Sequence, residues 1–254
     1  DVMLVLLIIF MITAPLLSMF VIPAAYYLVR KNFALAMPDI LAEHPEYTKA
    51  QLGSAMTGLS IAYGASKFLM GSVSDRSNPR WFMPLGLLLS CALMLVFGFV
   101  KEVYTSLWAM IALLTLNGWV NGMGWPPCGK TMVHWFSANE RGRVVSLWNT
   151  AHNVGGGAVA ALAVAGVGLF GDWGAKFYFN AMVAAAIAVL VYVLLRDSPQ
   201  TCGLPPIEVS PQSARLLYLL AIGARNLDKA AMAAGFKSYH VALHALYKSG
   251  RIPF

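Results

Sequence analysis

The chain has 254 residues, of which 59% are hydrophobic and 11% charged, whereas a soluble globular domain carries about 25% charged residues. That composition leaves too little polar surface to be wetted, so the chain reads as an all-α integral membrane protein. Its formal net charge of +7 is spread over loops and a tail rather than one basic stripe. This points away from nucleic acid and toward membrane lipid with anionic head groups, or an anionic substrate. Cys91, Cys128 and Cys202 lie far apart with no CxxC spacing, so neither a disulfide framework nor a metal site is expected.

The chain opens on Asp1 rather than Met, which reads as a fragment or an incomplete gene. Its apolar opening lacks the basic flank and cleavage site of a signal peptide. Six apolar runs of spanning length follow, at about 12–38, 52–73, 81–100, 106–132, 144–170 and 176–195. Residues 1–23 form an apolar segment that includes the start of helix 1, and residues 24–208 form the six-helix unit. Arg76 and Arg80 lie in loop 74–80, Arg141 and Arg143 in loop 134–143, and Arg196 follows the sixth run. By the positive-inside rule those loops are cytoplasmic, and so are both ends of the unit. Residues 209–254 carry six Lys or Arg against one acid and hold one apolar patch, LLYLLAIGA, too short to span. This tail is either an amphipathic helix lying on anionic lipid or a solvated, disordered or out-of-frame segment without a role.

Arg30 and Lys31 sit inside the first run. Helix 1 runs outward in this topology, so a basic flank at that position would fall on the side that the rule disfavours. The apolar NFALAMP that follows reads as the same helix continuing, which buries both charges in the membrane. In helix 4, Pro126 and Pro127 remove backbone donors and are expected to break or kink the helix, with Lys130 and His134 as anchors beyond. In helix 5, Asn149, His152, Asn153 and Gly156 fall at i, i+3, i+4 and i+7 and form one polar stripe. Gly155, Gly156 and Gly157 are expected to allow close helix approach. No Ser-His-Asp set, paired acids, metal cluster or phosphate-binding loop is present, so an enzyme and a transport ATPase are disfavoured and no cofactor is expected.

The strings YLVRKNFALAMP, SIAYGASKFLMGSVSDRSNPR, GMGWPPCGKTMVHWFSANERG, WNTAHNVGGG and RDSPQTCGLPPIE resemble the organophosphate:phosphate antiporters of the major facilitator superfamily, the family of the bacterial glycerol-3-phosphate transporter. Gly71, Asp75, Arg76 and Arg80 match the superfamily signature between helices 2 and 3. The resemblance covers Ala24 to Glu208, the N-terminal six-helix half of such a carrier. It departs at Ile22 and Pro23, where the family has Gly-Tyr, and after LPPIE, where the family continues into six more helices. It implies a bacterial inner-membrane protein that exchanges glycerol 3-phosphate, or a hexose phosphate or phosphoglycerate, for inorganic phosphate. Transport would need the missing second six-helix half or a homodimer partner. An organophosphate-sensing receptor of the same family is the other reading.

A phosphate monoester carries about −1.5 to −2 charge and enters a low-dielectric cavity only where cations and donors already stand. Arg30 is the expected phosphate contact, because its planar N–H pairs fit two oxygens and stay protonated. The alternative is a snorkelling side chain. Lys67 is the second cation, with Tyr63 one turn before it on the same face. Tyr27, one turn before Arg30, adds a phenol. For both tyrosines the alternative is packing. His152 and Asn149 complete the expected substrate set, the alternative for His152 being a helix–helix hydrogen bond. Lys31 projects about 100° around the helix from Arg30 and is expected to pair with an acid on another helix, or to add to the field, rather than share the contact. Asp75, Arg76 and Arg80 are expected to lock the cytoplasmic loop by charge pairing.

Overall fold

The computed structural model describes residues 17–203, 227–235, 237 and 241, and every regular element among them is helical. The helices are α1 (17–28) and α2 (Asn32–Glu43), then α3 (Lys49–Arg76), α4 (Pro79–Phe99) and α5 (Leu107–Asn121). After them come α6 (Pro126–Trp135), α7 (Ala138–Phe170), α8 (Ala175–Leu194) and the short α9 (Leu227–Ala233). Residues 1–16 and most of the tail beyond Gly203, LLYLLAIGA included, lie outside the described residues.

Local chemistry sets most of the ends. Thr48 and Gln51 form a capping box at the start of α3: Thr48 Oγ1 accepts from the Gln51 N–H at 3.3 Å, and Gln51 Oε1 accepts from the Thr48 N–H at 2.8 Å. Asn78 Oδ1 accepts the Arg80 N–H at 2.9 Å, and Pro79 opens α4, where its missing donor is no loss. The expected loop 74–80 therefore shrinks to Ser77 and Asn78, because charged residues at a helix end still propagate the helix.

Two expected spans are interrupted. The first is not one helix: α1 ends at residue 28, a turn carries Arg30 and Lys31, and α2 restarts at Asn32. The fourth is interrupted as expected, but by a different agent. A 3-10 turn at Gly122–Gly124 makes the break, while Pro126 and Pro127 begin α6, the first turn being where proline fits a helix. Close approach demands the glycines: a Cβ on Gly124 would lie 2.6 Å from the Tyr26 ring, and one on Gly122 would collide with the Ser66 hydroxyl. Within the Gly155–Gly157 run of α7, only Gly155 allows close approach, since its Cβ would stand 2.7 Å from the Ala24 backbone while Gly156 and Gly157 face open space.

α3 packs chiefly on α5, and α4 on α8. Phe33, Leu87, Phe97, Leu114 and Phe177 fill the space between them, with Ala181, Ala184 and Ala188 of α8 fully buried. In lipid such packing works through close contact rather than hydrophobic transfer, which is why small residues line the seams. Lys176 of α8 donates to the Leu35 carbonyl at 3.1 Å and pairs with Asp39 at 2.5 Å, tying α8 to α2 beside Pro38. α4, the Glu140–Phe170 stretch of α7, and α8 are each long and apolar enough to cross a membrane. Phe68 and Trp108, at 87% and 78% exposed, suit a lipid-facing surface and not water.

The chain divides into two compact units, Asp1–Met132 with Gly142–Leu195, and Val133–Arg141 with Arg196–Phe254. Within the second, the Trp135 indole N–H donates to the Arg196 carbonyl at 3.0 Å, and His134 Nδ1 lies 3.1 Å from the Asp197 carbonyl. These contacts tie the end of α6 to the segment that follows α8.

Candidate functional site

All the expected cations and aromatics of the substrate set lie in the first unit, on α1, α3 and α7. Arg30 stands in the turn after α1. Its guanidinium lies 4.4 Å from the centroid of the Tyr27 ring and 4.5 Å from that of Tyr63 in α3. Lys67, one turn beyond Tyr63, puts its ammonium 4.2 Å from the Tyr63 ring and 4.6 Å from the ring of Trp125. Trp125 stacks on His152 with centroids 4.5 Å apart and planes 18° from parallel. His152 reaches back to Tyr27 at 5.4 Å. The six side chains close a circuit: Tyr27, Arg30, Tyr63, Lys67, Trp125, His152. Trp148 braces it from α7, edge-on to Trp125 at 4.5 Å and to His152 at 5.3 Å.

Among the described residues no carboxylate pairs with Arg30, Lys31 or Lys67. The two cations of the circuit rest on ring faces, each such contact being worth about 0.5–2 kcal/mol. A hydrogen bond between an ion and its partner contributes about 1.5–3 kcal/mol, and a phosphoryl group offers several acceptors at once. Among the described residues neither of the buried ring nitrogens of His152 has a hydrogen-bond partner, a state that costs about 1–3 kcal/mol per group and that an acceptor or donor on a ligand would relieve.

A cavity of about 210 Å³ is bordered by Arg30, Lys31, Phe33, Met56, Ser60 and Tyr63. Lys31 is exposed and borders this cavity together with Arg30, although a continuous helix would project the two side chains about 100° apart. The reason is the interrupted helix, which voids the projection angle of a continuous one. Asn149 lies on α7 three residues before His152 but is exposed and stands outside the circuit.

The expected gating group lies apart, about 12 Å further along α3 at its rise of 1.5 Å per residue. Asp75 and Arg76 are exposed at the end of α3. The hydrogen bonds there run to backbone: Lys130 donates to the Ser77 carbonyl at 2.7 Å and to that of Asp75 at 3.4 Å. Arg80 ties α4 to α8, its Nε donating to the Tyr192 carbonyl at 3.1 Å with the guanidinium 5.0 Å from the Tyr192 ring.

Sequence reasoning passed over Trp125 and Trp148. Trp148 carried a usable signal, since it precedes His152 by four residues and so shares its helix face. Trp125 carried none, because its place beside Lys67 follows from the turn at Gly122–Gly124. Among the described residues no group of three His, Cys, Asp or Glu side chains is placed to hold a metal ion.

The family model of the Major Facilitator Superfamily matches residues 16–236. The chain is 48% identical over 192 residues to the glycerol-3-phosphate transporter of Bacillus subtilis, covering 76% of this chain and 43% of that protein. It is 46% identical over 196 residues to the glycerol-3-phosphate transporter of Haemophilus influenzae, covering 73% and 41%. It is also 42% identical over 184 residues to the membrane sensor protein UhpC of Salmonella typhimurium, covering 72% and 40%. The chain thus spans about two fifths of the length of these curated relatives.

Proposed function

This chain belongs to the major facilitator superfamily, a family of multi-pass membrane transport proteins rather than enzymes, and from that premise we propose that it is the N-terminal half of an organophosphate carrier. Glycerol 3-phosphate exchanged for inorganic phosphate across the bacterial inner membrane is the favoured reaction, because the relatives of highest identity cited above are named for that substrate. In this reading residues 24–208 are the six-helix half, with both ends cytoplasmic. Carriers of this kind work by rocking two halves around a midplane site, so transport needs a second half, in the same protein or from a partner.

The observation that carries the reading is the pair Arg30 and Lys67, held on aromatic faces with no carboxylate against either among the described residues. Arg30 grips two phosphoryl oxygens, Lys67 neutralises the remaining charge, and Tyr27, Tyr63 and His152 supply directional hydrogen bonds. Phosphate entering the circuit exchanges weak ring contacts for charge-assisted bonds. Inorganic phosphate and a phosphate ester offer the same group, which is what exchange requires.

Calorimetry with the chain in lipid nanodiscs tests this. Glycerol 3-phosphate and inorganic phosphate should compete for one site, with affinity falling about 100-fold in Arg30→Ala and about 10-fold in Lys67→Ala, at 1.4 kcal/mol per factor of ten. Binding that survives both substitutions unchanged overturns the assignment. The similarity to a membrane sensor supports a second reading, in which the same site binds an organophosphate without moving it. Binding by the complete protein with no counterflow in proteoliposomes would select that reading.

A further inference from the structure

The turn that carries Arg30 contains neither glycine nor proline, so nothing in the local sequence ends α1 there. The last carbonyls of a helix need partners from elsewhere. Tyr27 C=O accepts from the N–H of both Arg30 and Lys31 at 3.2 Å. The Val29 carbonyl belongs to a residue with no exposed surface, and Asn117 of α5 donates to it from Nδ2 at 2.9 Å. The orientation of that amide is determined by its other end. Asn117 Oδ1 accepts from the Ser90 hydroxyl of α4 and, at 3.0 Å, from Asn121 Nδ2. Asn121 Nδ2 also lies 2.7 Å from Ser90 Oγ. Ser90, Asn117 and Asn121 are all buried.

We propose that Asn117 is a positioning residue for the anion site: by taking the Val29 carbonyl it holds the turn open and sets the Arg30 guanidinium between Tyr27 and Tyr63. The proposal rests on Arg30 being the phosphate contact. Without the Asn117 donor, a buried carbonyl is left unpaired. The nearest remedy is the ordinary helical bond from the Phe33 N–H four residues on. Lys31 provides no side-chain cap at the start of α2, so nothing there competes with that bond. Closing it would run α1 into α2 and swing Arg30 out from between the two rings.

The test compares Asn117→Leu with Leu114→Ala, a buried core truncation one turn away on α5 that leaves the Asn117 amide in place. Two readouts are taken on the chain in lipid nanodiscs. The first is the nitrogen-15 NMR signal of the Arg30 Nε–H without anion, assigned by its loss in Arg30→Lys. Two rings at 4.4 and 4.5 Å shield it, and Asn117→Leu should return it to the position of an exposed arginine while Leu114→Ala leaves it in place. The second is the affinity for inorganic phosphate, expected about 10-fold weaker in Asn117→Leu and nearly unchanged in Leu114→Ala. A folded Asn117→Leu whose Arg30 signal has not moved overturns the proposal, whatever phosphate does. A signal that moves, in a parent chain that binds no phosphate, sustains the positioning of Arg30 and overturns the anion reading instead. If Asn117→Leu does not fold, Ser90→Ala serves: it loosens the Oδ1 end of the amide and should displace the Arg30 signal part of the way, and no displacement overturns the proposal.

Discussion

Among the described residues two of the expected spans are interrupted, and by opposite means. At Gly122–Gly124 the interruption is local: two glycines let the backbone turn tightly against Tyr26 and Ser66, and two prolines restart the helix. At residues 29–31 no helix breaker is present. That turn is held from outside, by Asn117 of α5 on the Val29 carbonyl and by Asn180 of α8, whose Nδ2 donates to Asn32 Oδ1 at 3.2 Å. An interruption built from breakers is a property of its segment, while one built from distant amides exists only in the assembled bundle. Arg30, the proposed phosphate contact, sits on the second kind. A turn held by polar partners can also be released by them, which a proline cannot.

The sharpest way to break this comparison is to remove the bundle. A peptide of residues 17–43 in detergent micelles should form one uninterrupted helix through Arg30, and a peptide of residues 107–135 should keep its turn at Gly122–Gly124. Carbon-13 Cα shifts residue by residue distinguish the two, and a break at residues 29–31 in the isolated peptide would end the distinction. In the intact chain, Gly124→Val drives a branched side chain into the Tyr26 ring. It should cost about 1–3 kcal/mol, the usual range for overpacking, read as a lowered midpoint of thermal unfolding in detergent. Gly155→Ala should be destabilising for the same reason, against the Ala24 backbone. Gly156→Ala, facing open space, should be neutral or stabilise by up to about 1 kcal/mol through helix propensity. Equal effects at the two glycines would mean that α1 does not pack where the structure places it.

The smallest effect concerns the loop between α2 and α3, outside the spans. A hydrogen bond from its own backbone, and then the His44 side chain at 2.9 Å, hold the Glu46 carboxyl below the usual carboxylate range. A depressed carboxylate contributes stability above its ordinary pKa and loses it as pH falls through the lowered value. Because Glu46 is fully exposed, unfolding should scarcely change with acid, while its NMR titration midpoint lies low. His44→Ala should raise that midpoint only part of the way, since the backbone bond is the larger cause.

Much of the site was legible as chemistry before any geometry. Arg30, Lys67 and His152 stand out because ionisable groups inside apolar runs are rare and need a reason, and the phosphate came from the resemblance carried by the surrounding strings. Tyr63 and Lys67 were pairable because four residues on a helix share a face. What failed to transfer was everything that depends on segments distant in sequence. Trp125 under Lys67, Lys31 in the cavity of Arg30, and the division among Gly155, Gly156 and Gly157 are facts about which helix lies opposite.

Composition, run length and charge placement by themselves determined a helical membrane protein and singled out Arg30, Lys67 and His152 as ionisable groups inside apolar runs. Those properties depend on local hydrophobicity and on spacing along one helix, both of which a linear chain contains. Only the tertiary structure decided that helix 1 is interrupted at its arginine, that two tyrosines and a tryptophan shield the cations, and that the imidazole nitrogens stay unpaired. The physical reason is hydrogen-bond competition. The Val29 carbonyl can be satisfied by its own helix or by Asn117, which lies 88 residues away in the chain, and only the packed bundle brings that amide within 2.9 Å of it.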